Sequence, residues 1–399
     1  MSIQVIGISR HCTLSDDART AVRSAQLLVG SAVNLQLAGA PAGAERIELG
    51  PLAPALDRLR GSAGKAVVLA SGDPGFFGIV RSMREAGLDF EVLPAVSSVA
   101  AAFAAAGLPW DGAIVVSAHG RELGPALNAC RAFPSVAVLT GPGAGPVELA
   151  RGLAGWPREL VVLERLGLPD QRLSRLAADQ VADLEPAQFT DPNVLLSLDP
   201  SAVAKLRKDN QPAAPPSAGW ALPEAAYQHR DSMITKAEVR AYLVARLRPR
   251  LGRLVLDIGA GSGSVGIECA LLGAAAVCVE RDPQACRMIG QNAQRHGVGV
   301  RIVEGSAPQA LTGLPDPDAV FIGGGGLEVV QAIAGRRIPL VVAAFAALDR
   351  TVAAHGLLSA AGYRVEGSQL SASRLADLPG GSLRLAASNP TIVLTAELT

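Results

Sequence analysis

Leu254-Val255-Leu256-Asp257-Ile258-Gly259-Ala260-Gly261-Ser262-Gly263-Ser264-Val265-Gly266-Ile267-Glu268 runs from an apolar strand through a small-residue loop into a helix. That succession is how an α/β sheet receives a nucleoside-bearing cofactor. Gly259, Gly261 and Gly263 let the backbone approach a ligand closely. The helix behind them offers free N–H groups and the positive end of its dipole. Outward from this stretch, the first strand is expected over Arg253–Ile258, with others over Ala276–Glu280, Val300–Glu304, Ala319–Ile322, Leu340–Ala344, Tyr363–Gly367 and Thr391–Thr395. Glu280 closes the second of these, about 20 residues after the first glycine, where a carboxylate can accept both hydroxyls of a ribose. Spacing alone leaves NAD open beside a cofactor that carries no phosphate. Upstream, Thr235 followed by Glu238 has the form of a capping box for a helix reaching about Leu247.

The chain has 399 residues, too many for one typical core, so two domains are expected. Its 49% hydrophobic content, with much Ala, Val and Leu, suits buried parallel strands under close-packed helices. Lys+Arg and Asp+Glu are both 36, so the chain lacks the basic excess that a nucleic-acid backbone rewards. Cys12, Cys130, Cys269, Cys278 and Cys286 are scattered with no CxxC, which gives neither a disulfide framework nor a zinc site. A reducing cytoplasm is the simplest expectation. The start Met1-Ser2-Ile3-Gln4-Val5-Ile6-Gly7 has no signal-peptide pattern, and the Ala-rich run between Pro94 and Pro109 reads as a core helix rather than a membrane span.

The first half alternates strands and helices. Strands are expected at 2–8, Leu27–Val29, Ala66–Ala70, Phe90–Leu93, Ala113–Ser117, Val136–Leu139, Leu160–Leu163 and Val194–Leu198, with a helix from Ser15 toward Leu28 capped by Ser15. The polar, Pro/Ala-rich stretch 201–219 reads as a linker. The expected domains are therefore 1–200 and 220–399.

The Asp257–Gly263 loop resembles the first motif of the class I S-adenosylmethionine methyltransferases. Asp257 and the extra Gly263 favour that cofactor over NAD. The resemblance implies contacts from Gly259, Ala260, Gly261, Ser262 and Gly263 to the methionine part and ribose, from Glu280 to the ribose, and from Ala307 to adenine. Ser306 stands where the family usually has an acidic residue. Met233-Ile234-Thr235-Lys236-Ala237-Glu238-Val239-Arg240, Gln294-Arg295-His296-Gly297, Glu304-Gly305-Ser306-Ala307-Pro308, Ser388-Asn389-Pro390 and the loop Gly323-Gly324-Gly325-Gly326 narrow this. Together they resemble the decarboxylating precorrin methyltransferases of cobalamin biosynthesis, with Thr235 at the cofactor and the four glycines at the substrate. Those enzymes act on carbon 15 of precorrin-6 species.

Three further segments resemble the tetrapyrrole (corrin/porphyrin) methylase family, and its subfamily acting on carbon 5. They are Ala70-Ser71-Gly72-Asp73-Pro74-Gly75-Phe76-Phe77-Gly78-Ile79, Leu93-Pro94-Ala95-Val96-Ser97-Ser98-Val99 and Val115-Val116-Ser117-Ala118-His119-Gly120-Arg121. This likeness implies a domain of two α/β lobes, with Gly72, Asp73, Phe76, Ser97 and Ser98 at a second S-adenosylmethionine site. Gly7-Ile8-Ser9-Arg10-His11-Cys12 replaces the glycine-rich loop usual after the first strand.

The expectation is thus an α/β chain: a tetrapyrrole methylase-like domain followed by a Rossmann-like class I methyltransferase domain, with one cofactor site in each. It would methylate carbons 5 and 15 of a precorrin and remove carbon dioxide from an acetate arm. His119, Arg121 and Arg374 are candidates for the reaction or for substrate carboxylates, as are Arg230 and Arg240. His296, before Gly297, reads as a structural histidine at a helix end. The alternatives are a nucleic-acid methyltransferase and a fusion active only in its second half. No metal, membrane or nucleic acid is expected as a partner, and the resemblance implies a homo-oligomer.

Overall fold

A computed structural model describes residues 2–9, 14–39, 41–201, 219–230 and 234–399. Most of the expected linker, Arg10–Cys12 of the altered loop and Met233 lie outside the described residues. The chain divides into two compact units, one of residues 1–121, 137–151 and 159–197, the other of 122–136, 152–158 and 198–399.

The first unit opens with β1 (Ser2–Ile8), β2 (Leu27–Gly30), β3 (Glu45–Glu48), β4 (Lys65–Ser71) and β5 (Glu91–Leu93), ordered β3-β2-β4-β1-β5 and parallel throughout. The interior strands β2, β4 and β1 are near-continuous apolar runs because both faces are covered. Ile3, Val5, Val29 and Val68 pack into one layer, and Ile6, Ile8, Leu28, Val67 and Leu69 into the other. A second sheet, ordered β6-β7-β10-β8-β9, is made of β6 (Ile114–Ser117), β7 (Ser135–Leu139), β8 (Glu159–Glu164), β9 (Arg172–Ala177) and β10 (Asn193–Leu198). These are the two α/β lobes. The helix after Ser15 spans Asp16–Ser24, with the Ser15 side chain accepting from the Ala18 N–H. It stops short of Leu28 because Leu27 already belongs to β2.

The second unit holds a seven-stranded sheet. Its strands are β11 (Leu254–Ile258), β12 (Ala275–Glu280), β13 (Arg301–Glu304), β14 (Ala319–Ile322), β15 (Leu340–Phe345), β16 (Tyr363–Leu370) and β19 (Thr391–Leu398). The order is β13-β12-β11-β14-β15-β19-β16, with β19 antiparallel to both its neighbours. Leu254, Leu256 and Ile258 face one apolar layer, Val255 the other. Strand order reverses between β11 and β14, and at such a switch point the loops after the strands part to form a crevice. Between β16 and β19 a hairpin of β17 (Ser373–Asp377) and β18 (Leu383–Ala387) forms a separate two-stranded ribbon.

The expected capping box is corrected. Thr235 and Glu238 form no capping box: the helix is Ala237–Leu247, its N-cap is Lys236, and no side chain caps it. The Ala237 N–H instead donates to Glu224 Oε1 at 3.2 Å, while Glu238 is held by Arg374. The strands β3, β9, β17 and β18 have no counterpart among the expected ones.

Candidate functional site

In the second unit the glycine loop is held from three sides. The N–H groups of Gly259 and Ala260 both donate to the Val279 carbonyl, at 2.9 and 3.2 Å. Glu280 Oε2 accepts from the Gly261 N–H at 2.8 Å, and its Oε1 accepts from the N–H groups of Arg281 and Asp282 at 2.8 and 3.0 Å. Asn292 Nδ2 donates to the Ser262 carbonyl at 2.9 Å. Gly263 is the N-cap of the helix Ser264–Leu271. Asp257, 1% exposed, accepts from the Gly266 N–H at 2.8 Å through Oδ2. Burial pushes its carboxyl up to about 7, against the Gly266 hydrogen bond.

Gly259 has φ +72°, and a Cβ there would lie 2.7 Å from the backbone of Gly324. The glycine loops after β11 and β14 therefore touch at the switch point. Beside them lies a cavity of about 470 Å3 lined by Thr235, Gly259, Ala260, Phe321, Gly323 and Ser388, among others. Gly261, Ser262, Gly263, Glu280, Ala307, Gly324, Gly325 and Gly326 are not among its lining residues. Glu280 reaches the loop through Gly261, and Ala307 follows β13.

Three arginines have other work. Arg240 is fully buried: its Nε donates to Glu268 Oε1 at 2.6 Å and its Nη1 to the Thr235 carbonyl at 2.6 Å. It cannot hold a substrate carboxylate; it fixes Thr235 at the cavity wall. Arg374 forks onto both Glu224 and Glu238, and through this hydrogen bonding holds the Glu224 carboxyl down to about 2. In this structure the Arg374 guanidinium, 46% exposed, is engaged by that double ion pair, and Arg374 is not among the lining residues of the second cavity. Arg230 lies 3.4 Å from Asp282. His296 Nε2 is 3.0 Å from the Ala226 carbonyl and its ring lies against Tyr227, a structural position.

The first unit builds a cavity of about 370 Å3 at the ends of its strands. Gly72, Asp73, Phe76, Ser97, Ser98, His119 and Arg121 all line it. Those residues come from three separated segments of the sequence, and folding brings them together. Gly72 turns the chain out of β4 at φ +66°, its N–H donating to the Ile8 carbonyl at 2.8 Å. Asp73 Oδ1 accepts from the Gly75 N–H at 2.8 Å and thereby shapes the turn. Ser97 caps the helix Ser98–Ala106, accepting from the Ala100 N–H at 3.1 Å. His119 Nδ1 is 3.2 Å from the Thr140 carbonyl, so Nδ1 is the donor of that contact. Thr140 Oγ1 is itself fixed on Asn193, with contacts of 2.6 Å to its carbonyl and 2.7 Å to Oδ1. Ring packing explains Gly141, where a Cβ would lie 2.7 Å from His119 Nδ1. Sequence reading missed Asn34, Thr140, Arg165 and Asn193, which also line this cavity. Isolated polar residues in ordinary loops and strands carry no periodic or motif signal.

Among the described residues no cluster of His, Cys, Asp or Glu could hold a metal, and no helix is long and apolar enough to cross a membrane. Two family models match: the tetrapyrrole (corrin/porphyrin) methylases over residues 6–182 and the precorrin methyltransferase domain over residues 225–384. A precorrin-6Y C(5,15)-methyltransferase [decarboxylating] from Sinorhizobium sp is 38% identical over 82% of this chain and 79% of its own. The protein of the same name from Mycobacterium tuberculosis (strain CDC 1551 / Oshkosh) is 34% identical over 80% of this chain and 79% of its own. A crystal structure of precorrin-6y C5,15-methyltransferase from Geobacter metallireducens GS-15 is 32% identical, covering 45% of this chain and 97% of that one with a TM-score of 0.41. Two glycine-bounded cavities, two family models end to end and relatives matched across both make one conclusion: this chain belongs to the decarboxylating precorrin-6Y C(5,15)-methyltransferases.

Proposed function

We propose that the chain transfers two methyl groups from S-adenosylmethionine to a precorrin-6 macrocycle, at carbons 5 and 15, and removes carbon dioxide from an acetate arm in cobalamin biosynthesis. The observation that carries this reading is the convergence of Gly72, Asp73, Phe76, Ser97, Ser98, His119 and Arg121 on one cavity, with a second glycine-lined cavity at the switch point of a different sheet. The functional boundaries are 1–200 for carbon 5, 201–219 for the linker and 220–399 for carbon 15 and decarboxylation, with one cofactor site in each domain.

The residues suit the cofactor. Gly259 and Gly324 meet backbone to backbone, so no side chain stands between the two loops. Glu280 presents fixed carboxylate oxygens at the loop, as ribose hydroxyls require. When bound, the cofactor supplies a methyl group on an activated sulfonium. The chain's task is then mainly alignment and exclusion of water. Thr235, pinned through its carbonyl by Arg240, and Phe321 wall the second cavity. In the first, Asp73 and the Ser97–Ser98 turn offer polar anchors, and Phe76 an apolar wall. His119 Nε2 is positioned to accept a proton released from the macrocycle. Incubating purified protein with S-adenosylmethionine and precorrin-6B should add two methyl groups and remove one carbon dioxide, read by mass spectrometry. An unchanged substrate rejects the reading; retention of carbon dioxide with one added methyl group rejects the assignment of the second domain.

The chain works in the cytoplasm as a homo-oligomer, with no nucleic acid as partner. Leu375, Leu383 and Leu385 on the β17–β18 ribbon are 70%, 59% and 68% exposed, and Leu375 pairs directly with Leu385. An isolated two-stranded ribbon is marginal in water, and its apolar face gains by covering itself with another copy. Sedimentation of the full chain should give more than one copy, falling to one in Leu375→Asp/Leu385→Asp. A wild-type monomer at micromolar concentration refutes this.

A further inference from the structure

Five non-glycine residues among those described take a positive φ: Phe77, Arg165, Ala221, Arg248 and Arg337. Two of the five, Phe77 at +53° and Arg165 at +52°, line the same first-unit cavity. The left-handed region is costly for a bulky side chain, whereas glycine or asparagine would occupy it readily. Such a conformation persists only where something outweighs it. Burial does not do so at Phe77, whose side chain is 47% exposed. Its ring stands edge to Phe76, centroids 5.0 Å apart, and the Arg121 guanidinium sits 5.4 Å from its centroid. Arg165 reaches Asp170 at 2.9 Å, but that pair is surface-exposed, at 43% and 56%, and so contributes little to stability.

We propose that Phe77, Arg121 and Arg165 form the receiving face for the macrocycle: Phe77 lies against the plane of the conjugated ring, and the two guanidiniums take its peripheral carboxylates. An exposed ring held at a conformational cost beside the Arg121 guanidinium, with Arg165 on the wall of the same cavity, matches a flat ligand that carries carboxylates. Aromatic faces bind flat π systems by stacking, and guanidinium forks bind carboxylates in two parallel hydrogen bonds. Asp73 is the only carboxylate among the described lining residues, and it is engaged by the Gly75 N–H. The assignment rests on the reading of this cavity as the carbon-5 site. It adds which residues select the macrocycle, as distinct from the cofactor.

The test uses full-length Phe77→Asn, which keeps a residue tolerant of left-handed φ and removes the ring. The thermal midpoint should stay level or rise, because strain is relieved. Affinity for S-adenosylhomocysteine should stay within about twofold, while KM for precorrin-6B in carbon-5 methylation rises on the order of tenfold and carbon-15 methylation is unchanged. Phe77→Tyr should restore KM, and Arg165→Asn should raise it on its own. An unchanged KM in Phe77→Asn overturns the proposal, as does a midpoint lowered by several degrees, which would give the ring to the fold. If wild type itself fails to methylate carbon 5, the functional reading falls instead.

Discussion

Glu268→Gln should lower the stability of the second unit by about 3 kcal/mol, the cost of breaking a buried ion pair from one side. Glu268 and Arg240 both have fully buried side chains, 2.6 Å apart. The carboxylate also accepts from the N–H groups of Ala221 and Leu222 at 3.0 Å each, and from the Tyr227 hydroxyl at 3.2 Å. Arg240 in turn reaches the Leu222 carbonyl and stacks over Tyr227, 4.9 Å from its centroid. Removing the negative charge leaves the guanidinium buried with no counter-ion, and that desolvation cost decides the sign. Denaturant unfolding read alongside the hydrogen exchange of the Ala221 and Leu222 amides measures it. A loss under about 1 kcal/mol would mean that the pair behaves as a surface one. Glu268→Leu combined with Arg240→Met should cost less than either single change, since no charge is left unpaired. The same double change frees the Thr235 carbonyl, so carbon-15 activity should fall more than stability does.

In Gly259→Val, carbon-15 methylation and decarboxylation should drop by about 10²-fold or more, while carbon-5 methylation continues. A β-branched residue is disfavoured at φ +72°, and its Cβ would press the backbone of Gly324 from 2.7 Å. Neither loop can yield by rotating a side chain, because backbone faces backbone. The product expected by mass spectrometry carries one new methyl group and keeps its carbon dioxide. Equilibrium dialysis should count one cofactor site per chain, against the two proposed for wild type. Wild-type rates at carbon 15 would show that the loops adapt, and loss of both methylations would show that the sites are not separable.

What the sequence reveals follows burial. Strands such as β4 and β11 are covered on both faces and so appear as apolar runs. β3, Glu45-Arg46-Ile47-Glu48, lies at a sheet edge with one apolar residue, and β9, Arg172–Ala177, is another edge strand interrupted by arginines. Neither has a pattern to find. The glycine motifs are legible because Gly72, Gly259, Gly261 and Gly263 take a positive φ that other residues disfavour, and at Gly259 the Gly324 backbone also leaves no room for a Cβ. The fates of Arg240 and Arg374 are not legible, since an arginine's partner depends on which elements fold beside it. Thr235 illustrates both sides: its position at the cavity is readable by resemblance, yet its apparent capping box is not formed, because Arg374 claims Glu238. In the first unit the residues proposed for the cofactor share motifs, whereas Thr140 meets His119, and Asn193 meets Thr140, only through the pairing of distant strands.

The touch between Gly259 and Gly324 has a thermodynamic meaning beyond sterics. In the proposed assignment one loop serves the methyl donor and the other the acceptor. A shift in either is felt by its neighbour with no intervening side chain to absorb it. Under that assignment any change that ligand binding makes in one loop reaches the other, and each ligand would alter the other's affinity by one common factor. Loading of donor or acceptor would then be read as a change in the affinity for its neighbour.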